Sequence, residues 1–155
     1  MAVTRIHTPD NGLARILGGK DARSMDDLVR DAEERLVQIA PHIDQFVARE
    51  IDVILAIGGQ REEEVFAECR KVSDAALRVA EVAGAAGATA VGDVARGIRL
   101  MIDSLFTGGV WHADALRIHV ESLAILTRGA PQSPAEADVI VERLKVLRAR
   151  IGVPD

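Results

Sequence analysis

Apolar residues return at steps of three and four along most of this chain, and no stretch sustains an alternation of apolar and polar residues. The run Met25, Val29, Ala32, Leu36, Ile39, Ile43 and Phe46 continues through Ile51 and Ile54 and stops at Gly58-Gly59. Residues three and four apart share one face of an α-helix, whereas residues two apart share one face of a strand. The spacing therefore points to helices that each carry one apolar stripe. The residues in the stripes agree with this. Only 3% of the chain is aromatic, with three Phe, one Trp and no Tyr, and roughly one residue in seven is Ala. Small aliphatic side chains suit closely packed helices, while strands favour rings and β-branched residues. A length of 155 residues suits one domain. Short connectors favour antiparallel neighbours, so the expected fold is an all-α, up-down antiparallel helical bundle with an additional C-terminal helix.

Residues 1–23 read as an N-terminal arm, with a turn cluster at Thr8-Pro9-Asp10-Asn11-Gly12 and a second break at Gly18-Gly19. Leu13, Ile16 and Leu17 would pack on the body through a short helical turn. The bundle is expected over 24–128. Its first helix starts at Ser24, with Asp27 completing a capping box. At Pro41 this helix either bends or gives way to a second one. The next helix spans about 60–83, with Val65, Cys69, Val72, Ala76, Val79 and Ala83 inward and Lys71, Asp74, Arg78 and Glu81 outward. The small-residue stretch Gly84 to Gly92 marks a break where two backbones come close. Further helices are predicted at about 93–106 and 111–127, and Gly129-Ala130-Pro131 closes the second. The C-terminal helix, 133–151, has Ser133 as cap, Pro134 in the first helical position and Glu136 three residues after the cap. Its stripe is Ala137, Ile140, Val141, Leu144, Leu147 and Ile151. With Val139 and Val146 off that stripe, it is expected to pack on the bundle or on a second chain as a homo-oligomer contact.

Several function classes fall away on the same evidence. A net charge of −5 argues against a nucleic-acid binder, which needs a basic surface. The lone Cys69 can form neither an internal disulfide nor a Cys-rich zinc site, so a reducing, cytoplasmic setting is expected. The first 20 residues lack the apolar core of a secretory signal, and no window of ~18 uninterrupted apolar residues predicts a membrane span. Neither metal nor cofactor is expected. The residues three before His7, His42, His112 and His119 are Thr4, Ile39, Gly109 and Leu116, so the Glu-x-x-His motif of di-iron bundles is absent. His112 and His119 lie seven apart, too far for one straight helix to place both on one metal. His119 shares its face with Leu116, Leu123 and Leu126 and reads as a partly buried core histidine with a hydrogen-bond partner. Cys69 reads as a small core residue. Glu62-Glu63-Glu64 opens a helix, where carboxylates favour the macrodipole. The glycines at 84, 87 and 92 lack the Gly-Lys-Ser/Thr ending of a phosphate loop.

One family resemblance runs through these motifs. Pro9, Asn11 and Leu13 in the arm, Gly87-Ala88-Thr89 at the break and His119-Val120 in a later helix occur together. In this the chain resembles the histidine phosphotransfer (HPt) domain, and more specifically bacterial chemotaxis-associated HPt-like proteins. The resemblance covers about 8–128 and leaves the C-terminal helix outside. It implies a four-helix core and a place in two-component signalling, where such domains relay phosphoryl groups between histidine kinases and receiver domains. Aligning Gly87-Ala88-Thr89 puts Ala80-Glu81 where the family has Ala-His, and Gly84-Ala85 where it has Lys-Gly. A register shifted by one puts Ala80 at the histidine position. Neither residue supplies the imidazole nucleophile that phosphohistidine requires. The helical wheel puts Glu81 on the solvent side, where its carboxylate could imitate part of a phosphohistidine's charge.

The resemblance thus implies a non-catalytic, pseudo-phosphotransfer binding module that docks a receiver domain or a histidine kinase. The expected partner surface is Phe66, Lys71, Asp74, Leu77, Arg78, Ala80, Glu81 and Gly84. Two rivals stand beside it. One is an active phosphorelay protein using a displaced histidine, His119. The other is a helical scaffold or self-assembly protein with no signalling role.

Overall fold

The computed structural model describes residues 24–128 and 133–153. Among them are six helices and no strand, which makes the fold all-α. The helices are α1 (Met25–Gly58), α2 (Glu62–Ala67), α3 (Cys69–Val82), α4 (Thr89–Gly108), α5 (Ala113–Arg128) and α6 (Pro134–Arg150). The chain divides into two compact units, Met1–Ile39 and Ala40–Asp155, with the boundary inside α1. The arm at 1–23, its Leu13, Ile16 and Leu17 contact, and the closing Gly129-Ala130-Pro131 lie outside the described residues.

Local chemistry sets several of the helix ends. At α1 the Asp27 N–H donates to Ser24 Oγ at 3.0 Å and the Ser24 N–H donates to Asp27 Oδ2 at 3.3 Å. That exchange satisfies two groups a helix start would leave open. At α6, Ser133 Oγ accepts from the Glu136 N–H at 3.3 Å and Pro134 occupies the first helical position. α4 ends at Gly109, whose φ of +69° is left-handed and costs least without a Cβ. α1 runs as one helix with Pro41 inside it, so no second helix begins there. Proline gives no N–H to the carbonyl four residues back, but that carbonyl belongs to exposed Val37, where water can serve it.

Four elements differ from the spacing-based expectation. The helix expected over 60–83 is two helices broken at Glu68, where φ is −105° and ψ is 12°. Past the break the Lys71 N–H reaches Glu68 O at 2.9 Å, a three-residue closure instead of four. No glycine or proline marks this position. α4 begins at Thr89, four residues earlier than predicted, so Gly92 lies in its first turn and not in the break. A Cβ on Gly92 would approach the Ala83 Cβ to 3.3 Å and the Ala80 carbonyl to 3.7 Å. The close backbone approach is therefore real, but it is a helix–helix contact. α5 starts at Ala113, leaving Trp111 in the connector. On α1, burial begins only at Val47. Met25, Val29, Leu36, Ile39 and Phe46 are exposed and Ile43 is half-buried.

The core lies in the second unit. Ile54, Val72, Val79, Ile98, Ile102 and Leu123 have less than 2% of their surface exposed. Burying an aliphatic side chain this fully stabilises by about 1.5–3 kcal/mol each. α4 is the central element and packs against α3, α5 and α6. The end of α1 presses on α5, since a Cβ at Gly58 would stand 2.8 Å from both Val120 methyls. Ion pairs Arg78–Glu50 at 2.7 Å and Arg128–Asp52 at 3.2 Å tie α3 and α5 to that part of α1. Cys69 is buried in the core, as its place on the stripe predicts. α6 packs on α4 and α5 through Ala137, Val141 and Leu144 and leaves Val139 and Val146 exposed. No described helix is long and apolar enough to cross a membrane.

Candidate functional site

The outward face of α3 meets the outward face of α4 in a groove. Arg70, Asp74 and Leu77 line it from α3, four and three residues apart, and Arg99, Asp103 and Phe106 line it from α4 with the same spacing. Equal spacing on two packed helices makes two parallel rows, with buried Ser73 between them. The space is about 350 Å³. Arg70 holds its guanidinium carbon 4.9 Å from the centre of the Phe106 ring, and Arg99 Nε lies 3.2 Å from Asp103 Oδ2. The groove thus offers two guanidinium groups, two carboxylates and the apolar side chains of Leu77 and Phe106. It suits a partner surface of mixed charge with one or two apolar residues.

The residues expected to form the partner surface divide over this face. Asp74 and Leu77 are in the groove. Arg78 turns the other way, to Glu50 of α1, and that bond raises its pKa above the ordinary guanidinium value. Lys71 is exposed and pairs with Glu68 at 2.8 Å. Phe66 belongs to α2 and stands edge-on to Trp111, with ring centres 5.3 Å apart. The Trp111 N–H donates to Glu62 Oε1 at 3.1 Å, so the acidic start of α2 also holds this ring. Ala80 is half-buried beside Gly92, and Glu81 is exposed in the last turn of α3, one residue before its end. Gly84 is exposed in the connector that follows. Sequence reasoning missed Arg70, Arg99, Asp103 and Phe106. Each row was visible as a 4-3 spacing, but the facing of one row on the other depends on how α3 packs on α4.

The chain matches no protein-family model, no curated protein and no solved structure.

His119 is fully buried at the opposite side of α4's environment, between α5 and α6. Its Nδ1 lies 2.8 Å from the Ala115 carbonyl, which can only accept, so Nδ1 carries the proton. Nε2 then accepts from Arg148 Nη1 at 3.3 Å. Burial holds the imidazole pKa below its ordinary value; the Ala115 bond opposes this and the Arg148 charge adds to it. Gly97 of α4 packs on the pair, leaving no room for a side chain. The structure contains the expected core histidine with a hydrogen-bond partner, but fully buried where partial burial was expected. Arg148 was missed, although 137, 141, 144 and 148 follow one 4-3-4 stripe. A cation on a core stripe is ordinarily read as the end of the stripe. Among the described residues no group of three or more His, Cys, Asp or Glu could hold a metal ion.

Proposed function

We propose that this chain is a non-catalytic, HPt-like docking module of two-component signalling that binds a receiver domain or a histidine kinase on the α3–α4 face. The observation that carries this reading is the groove itself. It contains Asp74 and Leu77 from the expected surface, and Glu81 is exposed on the same helix. A phosphoryl acceptor needs an accessible imidazole nitrogen, and both nitrogens of His119 are engaged inside the core. That supports binding over transfer.

Receiver domains and histidine kinases from the same source, titrated calorimetrically against the full chain, test the proposal. One of them should bind, and Asp74→Arg or Arg99→Glu should weaken it at least about tenfold, the usual loss when an interface charge is reversed. Absence of any binding, or binding indifferent to both substitutions, overturns it. Acid-labile phosphate appearing on His119 with a kinase and ATP would instead favour an active relay.

A further inference from the structure

Residues 25–39 of α1 carry a second surface. Met25, Val29, Ala32, Leu36 and Ile39 lie on one side of the helix at steps of 4, 3, 4 and 3. Their average of 3.5 residues is the repeat of a coiled-coil seam, with Val29 and Leu36 at one core position and Met25, Ala32 and Ile39 at the other. Nothing covers this seam among the described residues: Met25 is 60% exposed, Val29 49%, Leu36 54% and Ile39 47%. The same helix buries its apolar residues from Val47 onward, so the exposed row is not a general property of α1. A row of large aliphatic side chains left in water marks an interaction surface.

The charge beside the seam selects the occupant. Between 25 and 39 there are five acids (Asp26, Asp27, Asp31, Glu33 and Glu34) against two bases (Arg30 and Arg35), a net −3. Asp26 and Glu33 flank the seam on one side and Leu28 and Arg35 on the other; coiled coils choose partners by charge at such positions, and here two acids stand against one base. A lipid surface with anionic headgroups would repel this segment, since helices that lie on membranes carry Lys and Arg on the polar face. A second copy would set another net −3 along the same ~22 Å of helix. A helix with the opposite sign gains on both counts.

We propose that residues 25–39 of α1 form one strand of a heterotypic coiled coil whose other strand is a basic amphipathic helix. That partner has aliphatic residues at 3-4 spacing and Lys or Arg on the flank that faces Asp26 and Glu33. The proposal does not depend on the function proposed for the α3–α4 face.

The test titrates the full chain with a fluorescent three-heptad synthetic peptide bearing Leu at the core positions and Lys at the flanking ones, read by anisotropy. A control peptide has Glu in place of each Lys. The basic peptide should bind, more weakly as salt rises, and the acidic one should not. Leu36→Asp and Glu33→Lys should each weaken binding about tenfold or more, while Asp74→Arg leaves it unchanged. Leu36 and Glu33 are exposed, and circular dichroism checks that both variants keep the parent helicity. The proposal is overturned by no binding of the basic peptide, by equal binding of the acidic one, or by binding unaffected by both α1 substitutions. It is equally overturned by light scattering that shows a dimer which Leu36→Asp dissociates, because a second copy then occupies the seam. Co-sedimentation with anionic vesicles that Leu36→Asp abolishes would overturn it in favour of a membrane.

Discussion

Gly97 offers the sharpest test of the packing around α4. A Cβ there would lie 2.5 Å from Arg148 Nη1, 3.0 Å from His119 Cδ2 and 3.2 Å from His119 Nε2. Alanine at this position sets two effects against each other. Its helix propensity contributes up to about 1 kcal/mol over glycine. Overpacking a full core costs about 1–3 kcal/mol. At the low end these cancel, so Gly97→Ala decides little. Valine removes the offset, because β-branching takes back much of the propensity gain. It also drives two further methyl groups into the space held by buried Arg148 and His119. Gly97→Val should therefore cost at least about 2 kcal/mol. For a domain of this size each kcal/mol lowers the melting temperature by about 3–4 °C, so the midpoint should drop by roughly 6 °C or more. Thermal melts followed by far-ultraviolet circular dichroism measure it. Gly84→Ala is the control. Nothing lies within 4 Å of a Cβ added there, and the substitution should be neutral or stabilise by about 0.4–1 kcal/mol. If Gly97→Val melts with the parent chain, α4 does not rest on the His119–Arg148 pair as described.

Two further outcomes follow from the core. Burial holds the His119 pKa below that of a free imidazole, so the unfolded chain takes up this proton first as pH falls. The contribution is constant above about pH 6.5 and is lost as pH drops from there toward the folded pKa. Urea midpoints should fall as pH drops from there, and the His119 ring signals in NMR should titrate at lower pH than those of a free imidazole; titration at or above the free-imidazole range refutes the assignment. Leu123 is fully buried, so Leu123→Ala should lose about 2–5 kcal/mol by urea denaturation, whereas Val146→Ala on the exposed side of α6 should lose under about 0.5 kcal/mol.

Where side chains speak to their own backbone, the sequence was readable. Ser24 with Asp27 and Ser133 with Pro134 and Glu136 act within one turn, and each pair marks the helix start it was expected to mark. The 3-4 spacing likewise identified the inward residues of α3 and placed Cys69 among them. What escaped reading depends on partners distant in the chain. The break at Glu68 carries no glycine or proline and accompanies the edge-on contact of Phe66 with Trp111, more than forty residues away. Gly92 looked like loop because it follows other glycines, yet its role is set by Ala80 and Ala83 across the helix pair. Arg148 lies on an aliphatic stripe and is acceptable there because His119 offers a lone pair. The stripe at Met25 to Ile39 shows the converse: periodicity reports that a face is apolar, not that the other described residues bury it. On the α3–α4 face the two rows could be read singly, but their meeting belongs to tertiary packing.

The sole cysteine gives this fold a built-in stopwatch. Cys69 begins α3 and is only 6% exposed, with no other thiol in the chain to compete for a reagent. An aromatic disulfide probe can reach its sulfur only when the start of α3 swings open, so the labelling rate times that opening. Arg70 and Ser73, the next turn of the same helix, line the groove. A protein seated there would keep the helix shut and slow the clock, so occupancy of the face could be read without attaching any label to the partner.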